Sequence, residues 1–249
     1  MNQEWKNCFD RDGVAFCQSF AASLVPTVLE QLQRLLREVV PGMPPEHVFY
    51  EDKSDPASLK QLQRLQQHDA YFRRIANQGD FPELAEMLLG EPVTCKNVQY
   101  FNKPPGQGLA TPPHQDGFYF KLEPPQALTM WLALDEVDQE NGCVRYVPGS
   151  HLHGMRPHCA TGTLGFSQGI INYPNVVDAL QEIPFPAAPG DLLAHHALTI
   201  HRADANCSPQ RSRRALGFIF YGHSAQEDGL ARKKYQTDLR KDLLREGKI

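Results

Sequence analysis

The chain has 249 residues, a formal net charge of −4, and acids and bases spread along its length. This length allows one large domain, and the mild acidic balance argues against a nucleic-acid-binding surface. The N-terminus lacks the apolar run of a signal peptide and no apolar stretch is long enough to cross a bilayer, so we expect a cytoplasmic protein with neither nucleic-acid nor membrane partners. The six cysteines show no CxxC pair and are expected to be reduced. A monomer is compatible with the sequence.

The first 90 residues are predicted to be mainly helical. Apolar residues recur at helical spacing over 26–40, with charged and amide side chains between them. A second helical segment is predicted over 58–76. A third is predicted over 80–89, with Asp80 as its N-cap and Gly90 at its C-terminal end.

After Gly90 the pattern changes to short β-prone runs separated by Pro, Gly, Asn and Asp. We therefore predict a mainly β protein with flanking helices, folded as a sandwich or jelly roll. The expected organisation is a single domain with a helical preface (1–90), a jelly-roll core (91–222) and a helical tail (223–249). The predicted strands are 92–101, 127–134, 143–147, 192–200 and 215–221, with an insert at 159–190 and a charged surface helix at 231–246.

Two potential metal ligands lie in Thr111-Pro-Pro-His114-Gln-Asp116. Residues two apart in an extended chain project to the same face, so His114 and Asp116 can direct an imidazole nitrogen and a carboxylate oxygen at one point. A third ligand must come from elsewhere, and His201 follows the apolar run that begins after Pro189-Gly190-Asp191. Two histidines and one carboxylate on one face of an iron leave the opposite positions open for a co-substrate and oxygen.

An arginine after His201 would complete such a site, since 2-oxoglutarate carries a distal carboxylate that a planar guanidinium binds in bidentate fashion. If 213–220 is a strand, Arg213 shares a face with small residues, whereas Arg214 shares the other with Leu216 and Phe218. We therefore predict Arg213 as the carboxylate ligand and Arg211 and Arg214 as surface charges. This reasoning places His201 and Arg213 on adjacent antiparallel strands.

These segments together resemble the phytanoyl-CoA dioxygenase family over roughly residues 60–221. The resemblance implies a double-stranded β-helix (jelly roll, cupin-like) core, a His114/Asp116/His201 iron site and Arg213 as the 2-oxoglutarate arginine. The matching segments are His114-Gln-Asp116, Glu140 through Ser150-His151, Pro189-Gly190-Asp191, His201 and Arg213.

The resemblance also implies further 2-oxoglutarate contacts from Lys60, Gln99 and Trp131. Each has a structural alternative: Lys60 as a solvated helix residue, Gln99 as a satisfied strand amide, and Trp131 as core packing. Ala203 stands where the family often has a small hydroxyl residue, so no hydrogen bond is expected from it. Further histidines are interpreted as structural or supporting groups: His151, His158, His195 and His196.

The sequence thus predicts a non-haem Fe(II)- and 2-oxoglutarate-dependent dioxygenase that hydroxylates a small organic metabolite with oxygen, releasing succinate and carbon dioxide. Ascorbate is an expected stimulant. Related halogenases lack the carboxylate ligand, so Asp116 favours hydroxylation. Two alternatives stay open: a cupin-like metal-dependent isomerase or hydrolase, and a non-catalytic jelly-roll binding module.

Overall fold

The fold is seen in a computed structural model of the chain, which describes residues 2–161 and 168–245. Part of the predicted insert (162–167) and the last residue of the predicted C-terminal helix (246) lie outside these ranges. Within them, the helices are α1 (Gln3–Asp12), α2 (Val25–Glu38), α3 (Leu65–His68), α4 (Ala70–Asn77), α5 (Asp80–Leu89), α6 (Gly117–Phe120), α7 (Val176–Gln181) and α8 (Gly229–Arg245).

Two antiparallel sheets dominate the described part of the chain. The strands are β1 (Val14–Cys17), β2 (Val48–Tyr50), β3 (Leu59–Leu62), β4 (Val93–Lys103), β5 (Thr111–His114), β6 (Leu122–Glu123), β7 (Ala127–Ala133), β8 (Val144–Tyr146), β9 (His158–Ala160), β10 (Gln168–Ile170), β11 (Ile183–Phe185), β12 (Leu192–His196), β13 (His201–Ala203), β14 (Arg213–Gly222) and β15 (Gln226–Glu227). The larger sheet has the strand order β1-β12-β7-β14-β4-β3-β2 and the smaller sheet β11-β8-β13-β5, while β9 and β10, and β6 and β15, form short pairs.

Strand β7 shows how the larger sheet separates the core from the site. All seven of its residues are buried, because both faces of the sheet are covered. Met130 and Leu132 pack in the main apolar core with buried residues of α2, α4 and α5. Trp131 and Ala133 point the other way and pack with Tyr146 of β8 in the smaller sheet. One layer of helices therefore covers the outer face of the larger sheet, and the smaller sheet lies opposite its inner face. This is the predicted jelly-roll architecture.

The structure corrects the predicted helix over 58–76. Residues 59–62 form β3, which pairs with both β2 and β4, and helical structure resumes only at α3 and α4. Strands β1, β2 and β3 thus bring part of the predicted helical preface into the larger sheet. Gly79 takes the N-cap position of α5, so Asp80 is its first residue rather than its cap.

None of the helices in the described residues combines the length and the apolar content that crossing a bilayer requires.

Candidate metal centre

His114, Asp116 and His201 meet at one point between the sheets. His114 ends β5 and His201 begins β13, and the two are direct cross-strand partners in the smaller sheet. Each of the three residues offers a donor atom that lies within 4.8 Å of the other two. Oδ1 of Asp116 is 3.5 Å from Nε2 of His114 and 3.9 Å from Nε2 of His201. This is the spacing of atoms that could share one ion.

Asp116 reaches this point by a different route from the one predicted. It does not continue β5 in extended alternation, because its backbone is helical (φ −58°, ψ −34°) and it precedes the first residue of the short helix α6. The carboxylate is therefore brought to the imidazoles by a turn. The predicted convergence is present, but the predicted cause of it is wrong.

The two candidate histidine ligands have defined tautomers. Nδ1 of His114 lies 2.7 Å from the carbonyl oxygen of Pro112, and Nδ1 of His201 lies 3.0 Å from that of Thr199. Because a carbonyl oxygen only accepts, each Nδ1 must carry the hydrogen, which leaves the lone pair on Nε2. Burial also lowers the pKa of His201 well below its usual value, which favours the neutral ring that binds metals.

The second oxygen of Asp116 is held by the protein. Thr129 Oγ1 donates to Oδ2 at 2.5 Å, and His195 Nε2 donates to the same oxygen at 3.2 Å. Since Nε2 of His195 carries the hydrogen, its Nδ1 accepts the 2.9 Å bond from the Tyr146 hydroxyl. Burial acts to raise the pKa of Asp116, but the hydrogen bond from His195 and the attraction of the surrounding imidazoles outweigh it, and that pKa lies well below its usual range. The carboxylate is thus ionised and oriented.

Arg213 is a buried guanidinium facing the same space from the larger sheet. It is 4 % exposed, makes no ion pair among the described residues, and its Nε is buried without a hydrogen-bond partner. The guanidinium lies 5.3 Å from the centre of the Trp131 ring. Burial lowers its pKa to about 10, so it remains charged at neutral pH. A buried cation in this state can bind an anion from outside the chain.

The two neighbouring arginines, Arg211 and Arg214, form ion pairs with acidic residues. Arg214 pairs with Asp135 at 2.6 Å, and Arg211 pairs with Asp138 at 2.8 Å and also with Glu140. Arg213 and His201 do not lie on adjacent strands, as the sequence had suggested, since β14 belongs to the larger sheet and β13 to the smaller one. They approach each other because the sheets face each other.

All seven predicted site residues line one cavity of about 580 Å³. Lys60 lies there in β3, with its Nζ 3.1 Å from Glu51 Oε2, and is buried rather than solvated. Gln99 accepts a 2.7 Å hydrogen bond from Gln61 Nε2. The set comprises Lys60, Gln99, His114, Asp116, Trp131, His201 and Arg213.

The supporting residues Thr129 and Tyr146 were not predicted from the sequence. The alternation of β7 places Thr129 on the same face as Trp131, and that was the available signal. His195 was predicted as a supporting group and contacts Asp116. His158 Nε2 accepts from the backbone N–H of Gln115, and His196 packs on Phe9.

Two histidines and an aspartate meet at one point in this jelly roll, and a buried arginine lines the same cavity. These features define a jelly-roll protein with a candidate metal centre. The chain belongs to the phytanoyl-CoA dioxygenase family, whose sequence profile matches residues 9–215. Among curated relatives, phytanoyl-CoA dioxygenase 1 of Oryza sativa subsp. japonica is 29% identical over 180 residues, which cover 68% of this chain and 63% of the rice protein. The chain thus matches less than two thirds of that relative's length.

Further similarities extend over more of the chain. A probable alpha-ketoglutarate-dependent hypophosphite dioxygenase of Stutzerimonas stutzeri is 25% identical over 213 residues, 84% of this chain and 73% of that protein. The crystal structure of SnoN, a non-heme alpha ketoglutarate dependent epimerase from nogalamycin biosynthesis, superposes with a TM-score of 0.70 at 26% identity, covering 90% of this chain and 84% of that one. EctD from S. alaskensis, with 2-oxoglutarate and 5-hydroxyectoine bound, shares the fold with a TM-score of 0.74 at 18% identity, over 90% and 77% of the two chains.

Proposed function

We propose that this protein is an Fe(II)- and 2-oxoglutarate-dependent dioxygenase that hydroxylates a small organic molecule. The observation that carries the proposal is the meeting of His114, Asp116 and His201 in the cavity that also contains the buried Arg213. The family membership and the names of the similar proteins support it, since SnoN and the Stutzerimonas protein are both described as alpha-ketoglutarate-dependent.

The side chains fit an iron site. Two neutral imidazoles and one ionised carboxylate form the donor set that non-haem Fe(II) oxygenases use, and the described residues offer no fourth His, Cys, Asp or Glu in the cluster. When bound, iron and 2-oxoglutarate supply the oxidising power that consumes dioxygen, releases succinate and carbon dioxide, and inserts one oxygen atom into a C–H bond.

Arg213 fits the distal carboxylate of 2-oxoglutarate. The guanidinium is buried without a counter-ion among the described residues, and its Nε has no hydrogen-bond partner. A carboxylate bound in bidentate fashion would supply both the negative charge and the hydrogen-bond acceptor. Trp131 positions the guanidinium from one face. Lys60 and Gln99 are proposed as further contacts, although Glu51 and Gln61 already engage them.

Hydroxylation is the proposed outcome because Asp116 supplies the carboxylate that halogenating relatives lack. Similar structures include an epimerase, SnoN, and a carbocyclase, SnoK. The direct test is therefore the product: a coupled substrate gains one oxygen atom, and its yield matches the succinate released. A substrate converted with no gain in mass would assign the site to one of the other reactions.

The first experiment needs no substrate. Purified protein receives Fe(II), ascorbate and 2-oxoglutarate in air, and succinate is measured. We expect slow uncoupled succinate release from the wild type and none above background from Asp116→Ala. The matched control is Asp10→Ala, which removes a surface carboxylate paired with Lys6. Equal release by wild type and Asp116→Ala would remove Asp116 from the site. Metal binding without succinate release would favour the isomerase, hydrolase or binding-module alternatives.

A further inference from the structure

The cavity is lined by more cations than the 2-oxoglutarate site requires, and most of them are already engaged. Lys60 pairs with Glu51, and Lys103 donates to the carbonyl oxygens of Leu109 and Asp204 at 2.8 and 2.6 Å. The remaining engaged cations are Arg202, which pairs with Glu182 and Asp204, and Lys96 and Arg232, which share Glu227.

Two cavity-lining arginines differ from this set, namely Arg213 and Arg64. Within the described ranges the guanidinium of Arg64 has no hydrogen bond and no ion pair, and it is only partly exposed. The nearby acid Glu46 also lines the cavity but is not within ion-pair distance of Arg64. Arg64 therefore presents an uncompensated positive charge to the cavity.

The backbone of Arg64 is unusual as well. The residue lies between β3 and α3 with φ +58° and ψ +35°, a left-handed conformation that glycine or asparagine adopts at lower cost. Its N–H donates to Oδ1 of Asn97 at 2.8 Å, which holds the chain in this shape. Left-handed conformations of non-glycine residues occur more often at ligand-binding sites, and this one lies in a cavity wall.

The register of the larger sheet relates Arg64 to the metal centre. His195, Thr129, Ile219 and Asn97 are successive partners across β12, β7, β14 and β4. Thr129 holds Asp116, and Asn97 holds Arg64. Two strand spacings separate Thr129 from Asn97, or roughly 10 Å. Arg213 lies six residues before Ile219 on β14, roughly 20 Å along the strand. The two arginines thus serve different ends of the cavity.

We propose that Arg64 binds an anionic group of the substrate, a carboxylate or a phosphonate, and so places a carbon of the same molecule at the metal centre. This assignment deepens the proposed function and rests on it for the chemistry at the metal. The substrate class it defines is an elongated organic acid, held at one end by a guanidinium and reacting toward the other.

The test uses protein loaded with Fe(II) and saturating 2-oxoglutarate, kept free of dioxygen so that nothing turns over. Calorimetric titrations compare straight-chain alkanoates and alkylphosphonates with the neutral alkanamides of the same length. We expect the wild type to bind at least one acid series more tightly than the matched amides. Arg64→Asn, which suits the left-handed backbone and removes the charge, should weaken acid binding by roughly 10- to 100-fold and leave amide binding unchanged.

Arg64→Lys should keep most of the preference for acids, because the positive charge remains. The matched control is Arg74→Gln, which removes an exposed arginine of α4 that is not a cavity-lining residue and should bind as the wild type does. If no acid binds the wild type better than its amide, or if Arg64→Asn keeps the preference, the assignment is wrong.

Failure of the proposed function would look different. Iron binding and succinate release without substrate are measured on the same preparations, and Arg64→Asn should retain both. If the wild type shows neither, the oxygenase proposal fails, and the titrations repeated without iron and 2-oxoglutarate still report whether Arg64 binds acids.

Discussion

Thr129 Oγ1 donates a 2.5 Å hydrogen bond to Asp116 Oδ2, which leaves Oδ1 as the oxygen that can bind a metal ion. Oδ2 is fixed by Thr129 and His195, while Oδ1 faces His114 and His201. The orientation of the candidate ligand is therefore set before any ion arrives. Such preorganisation is characteristic of metal centres whose ligands are themselves hydrogen-bonded.

Thr129→Val tests this role, because valine keeps the shape and the β propensity but cannot donate. We expect metal affinity to fall roughly 10- to 100-fold, with the fold preserved. Thr94→Val is the control, since Thr94 is an exposed residue of β4 outside the cavity lining. Affinity is measured by Fe(II) titration without oxygen. Wild-type affinity in Thr129→Val would show that the bond does not contribute to ligation.

Arg213→Met should separate cofactor binding from stability. The buried guanidinium lacks an ion-pair partner among the described residues, so replacing it by an apolar side chain should leave the free energy of unfolding unchanged or raise it. Binding of 2-oxoglutarate should fall by roughly 100-fold or more. Thermal unfolding with and without 2-oxoglutarate measures both effects.

Arg214→Met is the control, and the reverse pattern is expected for it. It breaks the half-buried ion pair with Asp135, so it should lower stability by about 1 kcal/mol and keep 2-oxoglutarate binding. A strongly destabilised Arg213→Met that still binds 2-oxoglutarate would contradict the proposed role.

The buried ring of His196 should make the protein less stable in mild acid. Burial lowers its pKa to about 4, so the folded protein keeps the ring neutral while the unfolded chain protonates it near its usual value of 6.5. Its contribution to stability is present above about pH 6.5 and is lost as pH falls toward 4, amounting to about 2 kcal/mol between pH 7 and pH 5. Urea unfolding at both pH values should show a smaller loss for His196→Gln. The exposed His223→Gln should behave as the wild type, and equal losses in all three proteins would exclude His196 as the cause.

Gly142 lies in the turn that precedes β8, and replacing it should have a local effect on stability. Its φ is +85°, and an added Cβ would lie 2.4 Å from the carbonyl oxygen of Asp204. Gly142→Ala should cost about 2 to 4 kcal/mol. Gly149→Ala, at φ +77° with no atom near the added Cβ, should cost only about 1 kcal/mol. Urea midpoints give both values, and equal costs would contradict the steric explanation.

Local patterns predicted the strands of the larger sheet well where they are long and apolar. The runs predicted at 92–101 and 127–134 correspond to β4 and β7. The segment 59–62 was mistaken for helix because Leu59, Leu62 and Leu65 recur at a spacing of three. Its strand conformation depends on pairing with β4, which is distant in sequence.

The site shows the same limit. His-x-Asp, a distal histidine and a following arginine could be chosen from the sequence, and the structure places them around one cavity. Of their supports, His195 could be chosen from the sequence, but Thr129 and Tyr146 could not, since Tyr146 acts through His195 across two sheets. The relation between His201 and Arg213 was also wrong, because local order cannot show which sheet a short strand joins.

Strand β1 is the outermost member of the larger sheet and hydrogen-bonds along β12, the strand that carries His195. Deleting the first 17 residues would remove β1 and leave backbone N–H and C=O groups of β12 unpaired beside His195, which donates a hydrogen bond to Asp116. The truncated protein should aggregate through the exposed edge of β12 and bind the metal ion more weakly, although all three proposed ligands would still be present.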